Sequence, residues 1–487
     1  MEILKFKSKF KIRFNKVLYR ITMENCNIDN IGNGDGDCDC DPLHKVLNSK
    51  LKYPQLISLL VERYKDLGVK EECIESAIVR LNNLHTMISH RNSSENGIRI
   101  LQWNLLARLL ADDGFLMNWV IDTTKPRERT SELYNKIKAT KIEGDEFLKK
   151  LGENYKEDCE MLENDKIMFD HYRRLILIKI YITIYKPDFI VLEECDFVKD
   201  IESMLHEDNY TCGMGNISEF KLARDKQIID PFNESDIYKY LEETCALIAP
   251  KIGSTAVKIG IKNKLPENIL FDDNVVVFYD ITKFNLESIK YKIIPGSITF
   301  CAKFINKSTD HKFNIFPVHL PSGDKTSDVI KRQLSCEALM KFVNTVSESE
   351  SESDYIPYVI VGDFNSRPDE KKIDGIMSAW EILTDNHFIS CWTDYYDYSG
   401  IRTKEHYPNT TVKCRGPLTA QTPKMGELMT GPIDYIWTYG IKNIKLVSDP
   451  QLISDSDDMD VKIDEMIIPS IIEPSDHYLL AIDIVFI

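Results

Sequence analysis

The chain opens with apolar positions set among basic ones: Phe6, Phe10, Ile12 and Phe14 alternate with Lys5, Lys7, Lys9, Lys11, Arg13, Lys16 and Arg20. An Asn-, Gly- and Asp-rich stretch, 24–42, follows and reads as a polar linker, so 1–42 forms a basic segment plus linker. Apolar residues then recur at helical spacing over 54–89 (Leu56, Leu59, Leu60; Ile74, Ala77, Ile78, Leu81, Leu84), which predicts a helical extension over 43–95. From Ile98 the period changes. Short apolar or β-branched runs predict strands at 98–106, 189–194, 274–280, 313–320, 358–364, 432–439 and 478–486. Helical patterns lie between several of them, at 171–186 (Leu175, Ile178, Ile182, stopped at Lys186-Pro187-Asp188) and at 327–346. The charged stretch at about 126–170 reads as an inserted helical pair, and 347–354 (SESESESD) as a surface loop. Strands interleaved with helices predict one α/β domain over 98–487, a two-layer β-sandwich flanked by helices.

Composition narrows the function classes. Of 487 residues 43% are hydrophobic, enough for a sizeable core, so a disordered chain is excluded. The longest apolar stretch, 175–185, is too short to span a bilayer and carries Lys179, so no membrane span is expected. With 61 basic against 77 acidic residues the net charge is −16, which excludes a protein that grips polynucleotide through charge alone. A phosphate-bearing substrate would then be held by local groups or metal ions. Twelve cysteines contain no CxxC pair, which argues against zinc and for reduced thiols in an intracellular, cytoplasmic protein. The basic, acid-poor N-terminus also has the composition of a mitochondrial targeting segment, and lacks the apolar run of a secretory signal.

The candidate chemistry recurs at strand ends. Asn104 follows IRILQW, Glu193 and Glu194 follow FIVL, His319 follows FNIFPV, and Asp363 and Asn365 follow YVIVG. Asp434 sits in PIDYIW, and Asp476-His477 precedes the last strand. Adjacent strand ends gather such groups into one crevice. Carboxylates with amide oxygens suit a hard cation, Mg²⁺ or Mn²⁺, and histidines supply proton transfer. Singly, each residue has an ordinary structural explanation as a turn, a cap or a surface acid; together they point to a site.

The ordered motifs QWNLLA (102–107), LEE (192–194), VHL (318–320), GDFN (362–365), IDYIW (433–437) and SDH (475–477) resemble the endonuclease/exonuclease/phosphatase superfamily. The wording of QWN-x-LA and of NTTVKCRG (409–416) is similar to the branch holding nocturnin, the angel proteins and the carbon-catabolite-repressor-type deadenylases. The resemblance implies a DNase I-like sandwich and a metal-dependent hydrolase. It implies that Glu194, Asn104 and Asp476 bind Mg²⁺ (or Mn²⁺), and that Asp363 and Asn365 hold the attacking water and a phosphate oxygen. His477 would be the acid/base, Asp434 its orienting partner, and His319 a phosphate ligand. Asp273, Lys413 and Arg415 would contact substrate. Four positions depart from the pattern: Glu193 for a usual Gln, Pro321 for Lys, Ile330 for Arg and Asn274 for Gly. Strand alternation is expected to turn Glu193 away from the metal.

The expected activity is that of a phosphodiesterase, a 3′–5′ exonuclease or poly(A) deadenylase acting on an RNA 3′ end. The alternative is a nocturnin-like phosphatase on a small phosphorylated nucleotide such as NADP(H), which the acidic charge and the absence of leucine-rich repeats favour. An inactive scaffold is the third reading. No protein partner is named by the sequence.

Overall fold

The computed structural model describes residues 50–89, 97–106, 165–195, 197–212, 275–295, 297–323, 326–349, 356–368, 370, 377–392, 407–414, 428–441, 443–448, 468 and 470–485. The basic segment and linker at 1–42, most of the 126–170 insertion, Asp273 and Arg415 lie outside them. In chain order the elements are helices α1 (Tyr53–Asp66) and α2 (Glu71–Ser89), strand β1 (Gly97–Asn104), helices α3 (Asp165–Met168) and α4 (His171–Tyr185), and strand β2 (Phe189–Glu193). Helix α5 (Val198–His206) and strands β3 (Tyr210–Cys212), β4 (Val276–Asp280), β5 (Phe284–Ile294), β6 (Ser297–Asn306) and β7 (Lys312–His319) come next. Helix α6 (Thr326–Glu348), β8 (Tyr358–Asp363), α7 (Ala379–Asp385), β9 (Ile389–Ser390), β10 (Thr411–Cys414), β11 (Leu428–Gly431), β12 (Asp434–Tyr439), β13 (Asn443–Leu446) and β14 (Leu480–Val485) complete the set.

Two six-stranded sheets form the domain, in the orders β13-β14-β1-β2-β4-β3 and β5-β6-β7-β8-β12-β9. Among the described residues only the pairs β1–β2 and β7–β8 are parallel, and each lies inside its sheet. Alternation sets the layers. On β1, Ile98 and Ile100 face the apolar core shared by the sheets, while Leu101 and Trp103 face the core under the helices. Phe189 and Val191 on β2 likewise face inward, and Ile190 and Leu192 outward. The expected α/β sandwich is therefore what the chain forms.

The apolar stretch at 175–185 is explained by α4, which is buried almost all round between the first sheet and the α1–α2 hairpin. Asp170 caps it by accepting from Arg173 N at 2.8 Å, and Lys186 ends it in the left-handed conformation at φ 47, just before Pro187. Lys179, the charge in that stretch, reaches Met204 O at 2.7 Å and Asp208 at 3.6 Å. No helix among the described residues is long and apolar enough to cross a membrane. The helical run expected over 54–89 is broken in two by Gly68 at φ 74, a conformation glycine adopts without steric cost. Both halves pack into the domain: Leu56, Leu60, Tyr64, Ala77 and Leu81 are fully buried in the same core as α4.

Candidate active site

Register brings the strand-end groups together. Asn104 pairs with Glu193 across β1–β2, His319 with Asp363 across β7–β8, and Asp363 with Asp434 across β8–β12. The two parallel pairs thus direct their carboxyl ends to one end of the sandwich. Backbone geometry then departs from the strand: Leu106, Glu194 and Asn365 all take positive φ, at 56°, 51° and 50°. Non-glycine residues held there cost about 1–3 kcal/mol each, a strain that clusters at working sites.

Glu193 and Glu194 show the effect. Glu193 stays on the intersheet face with Val191 and is fully buried, with Oε2 accepting from Gln102 Nε2 at 2.8 Å. Glu194 leaves the strand through its left-handed turn and meets Asn104 Nδ2, a different partner from that of Glu193. Room for Glu193 comes from Gly362, at φ 149: a Cβ there would stand 1.8 Å from Val318 O and 3.0 Å from Glu193 Oε1.

Asp363 Oδ2 is the hub of the cluster. Asn104 Nδ2 donates to it at 3.1 Å and to Glu194 Oε1 at 3.0 Å, while Asn104 Oδ1 accepts from Leu106 N. His319 Nε2 lies 3.7 Å from Asp363 and 3.8 Å from Glu194, and His477 Nε2 lies 3.9 Å from Asp363 and 4.0 Å from Asp476. These are ion-pair rather than hydrogen-bond distances. Asp363 Oδ1 accepts from Asn365 N at 2.7 Å, and Asn365 Nδ2 donates to Leu320 O. His477 Nδ1 meets Asp434 Oδ2 at 2.9 Å, and Gln102 Nε2 donates to Asp434 Oδ1 at 2.8 Å. Asp434 is fully buried, whereas the Glu194 side chain retains 14% exposure and Asn365 is half-buried, so the crevice opens on the Glu194–Asn365 side.

Electrostatics follow from burial of several acids together. Burial, then the Asp434 carboxylate, push Asp363 up to about 6 against the pull of His477 and His319. Burial and Asp434 hold Glu193 well above the usual carboxylate range. Burial works to lower the His477 imidazole, but Asp434, Asp476 and Asp363 outweigh it and lift it to about 9.

The donor set fits a hard divalent cation, because carboxylates predominate and their repulsion is already expressed in the raised Asp363. Asp363, Asp434 and His477 offer ligand atoms within 4.8 Å of one another. Both Asp434 oxygens, however, are engaged by Gln102 and His477. Both Asp363 oxygens are likewise engaged, by Asn365 N and Asn104 Nδ2, which leaves Glu194 and Asp476 as the better oxygen donors.

The supporting contacts are largely ones the sequence motifs contain without announcing. Ser475 Oγ donates to Asn104 O at 2.5 Å and Trp103 Nε1 to His477 O at 2.8 Å, tying the SDH loop to β1. Thr410 Oγ1 accepts from Asp434 N, and Thr411 Oγ1 donates to Asp476 O. Arg174, on α4, binds the carbonyls of Leu105, Leu106 and Pro474 and so fastens both loops to the helix layer. Lys413 lies on β10, opposite Met429 of β11. Arg332, two residues after Ile330, which stands where the resemblance has an Arg, is buried and donates to Pro321 O, Gly323 O and Glu370. Gln102 carries a signal that could have been read: it is a polar residue on the apolar face of Ile98 and Ile100.

No protein-family model matches the chain, and no curated protein matches it. Among solved structures it is similar to the human Nocturnin catalytic domain with bound sulfate, at 14% identity and a TM-score of 0.41, over 81% of this chain and 97% of that one. It is also similar to ANGEL2, a 2′,3′-cyclic phosphatase, in complex with adenosine-2′,3′-vanadate, at 12% identity and a TM-score of 0.44 over 81% and 97%. A third is truncated Caenorhabditis elegans TDP2, at 11% identity and a TM-score of 0.39 over 80% and 97%.

Proposed function

We propose that this chain is a Mg²⁺-dependent phosphoesterase, with its site at the Glu194–Asp363–His477 crevice. The observation that supports it most is the convergence of Asn104, Glu194, His319, Asp363, Asp434, Asp476 and His477, from six separated motifs, at one end of the sandwich. Glu194 and Asp476 would hold the cation, which would polarise a phosphoryl oxygen and offset its charge when bound. Asn104 keeps the Glu194 and Asp363 carboxylates in place. Asp363 accepts a proton from the attacking water, positioned with the help of Asn365, as the water oxygen bonds to phosphorus; the bond from phosphorus to the leaving oxygen breaks, and that oxygen takes a proton from His477. His319 and His477 present Nε2 toward the same space, where each can donate to phosphoryl oxygens as negative charge develops. Asp434 holds His477 through Nδ1, which leaves Nε2 for the substrate.

The motif wording favours the 3′ end of RNA, removed nucleotide by nucleotide as by an exoribonuclease or deadenylase. One observation favours a small phosphorylated nucleotide instead: Arg332 is turned inward onto Pro321, Gly323 and Glu370, so that cation is spent on the fold and not on a polynucleotide backbone. Incubation with 5′-labelled oligoadenylate-tailed RNA, beside phosphate release from NADP(H), separates the two. A shortening ladder that disappears in Asp363→Ala supports the exoribonuclease; phosphate release with intact RNA transfers the activity to the small nucleotide. Neither product, in protein shown to be folded, overturns the proposal.

A further inference from the structure

We propose that Gln102 is a positioning residue for the Asp434–His477 pair: from β1 its buried amide crosses between the sheets and fixes the rotation of the Asp434 carboxylate. Gln102 is fully buried on the face that carries Ile98 and Ile100. Its Nε2 is 2.8 Å from Asp434 Oδ1 and 2.8 Å from Glu193 Oε2, so both amide hydrogens end on carboxylates. Asp434 in turn divides its oxygens, Oδ1 to Gln102 and Oδ2 to His477 Nδ1.

A core-filling role does not account for this choice of residue. Gln102 Oε1 has no hydrogen-bond partner among the described residues, a cost that an apolar side chain of equal length would not incur. The gain is orientational. The terminal torsion of an aspartate is broad and two-fold, so a single contact to His477 leaves the carboxylate free to rock. A second anchor on Oδ1 removes that freedom, and Glu193 holds the anchor from the neighbouring strand.

The inference rests on the phosphoesterase reading for its kinetic consequence, but not for its structural one. Gln102→Met keeps the length and removes the donor. The urea midpoint is expected to fall, because the buried Asp434 and Glu193 carboxylates each lose a donor, while in the folded enzyme kcat falls about 10- to 100-fold at unchanged KM, as when the partner behind a functional histidine is lost. The decisive readout needs no substrate. The His477 Nδ1 proton resonance, assigned by its loss in His477→Gln, is expected to shift or broaden in Gln102→Met. An unmoved resonance overturns the inference whatever the rate. A shifted resonance in a protein that hydrolyses no phosphate ester defeats the activity and leaves the positioning role standing. Should Gln102→Met not fold, wild-type protein labelled with ¹⁵N-glutamine answers the same question. The Gln102 amide protons are expected to exchange slowly and to shift in His477→Gln; exchange at the solvent rate, or shifts indifferent to His477, overturns it.

Discussion

Gly362 is where one atom decides whether the crevice can exist. Any Cβ there would meet Val318 O at 1.8 Å, in a backbone conformation of φ 149 that side chains resist. Gly362→Ala is therefore expected to destabilise the protein by about 3 kcal/mol or more, measured as a fall in urea midpoint at constant m-value. A second prediction concerns Glu473, buried against Tyr181 OH and raised to about 7, mainly by burial. The unfolded chain releases this proton near 4.5, the folded one near 7, so its contribution to stability is lost as pH rises through that window. Glu473→Gln keeps the acceptor for Tyr181 and has no proton to lose. Its stability relative to wild type is expected to climb between about pH 4.5 and 7, then level off at a gain on the order of 3 kcal/mol. A difference that is flat with pH would contradict the assignment.

At the scale of elements, the helix hairpin is a brace and not an appendage. Arg63 of α1 pairs with Asp170, the cap of α4, and Tyr64 OH donates to Ile471 O. Arg173 of α4 adds a bond to Ser470 O, Tyr181 one to Glu473 and Arg174 one to Pro474 O, so helices hold the chain leading to Asp476-His477 at four points. Tyr64→Phe strands a buried carbonyl and is expected to cost about 1–3 kcal/mol in a urea melt. An unchanged midpoint would show that the hairpin only covers α4. The strands that carry the site were legible because each is a short apolar run with one polar residue at its end. The β5–β6 hairpin, 284–306, was not anticipated. Its inward Phe284 and Phe304 are flanked by lysines and by exposed or half-exposed residues, and that dilutes the apolar run. The orientation of Glu194 was also out of reach, since it depends on a positive φ that no side-chain period encodes.

Across the whole molecule, the sequence-level motifs and the tertiary arrangement address different questions. Motif order marked which residues to watch, but the meeting of Asp363 with His319, Asp434 and Asn104 depends on register in three separate strand pairs. The net charge of −16 remains consistent with a site that grips phosphate locally. Substrate choice is where legibility was weakest: the sequence shows Ile330 where the resemblance has an Arg, but that nearby Arg332 serves the fold depends on where Pro321, Gly323 and Glu370 lie in space.

The most direct measurement is Mg²⁺-dependent hydrolysis of a phosphodiester by wild type and by Glu194→Ala, each checked for fold by circular dichroism and urea melting. Hydrolysis is expected to start on adding Mg²⁺, to stop with EDTA, and to fall at least about 100-fold in Glu194→Ala with the urea midpoint unchanged. Hydrolysis by folded Glu194→Ala at the wild-type rate, or by wild type without any divalent cation, would contradict it.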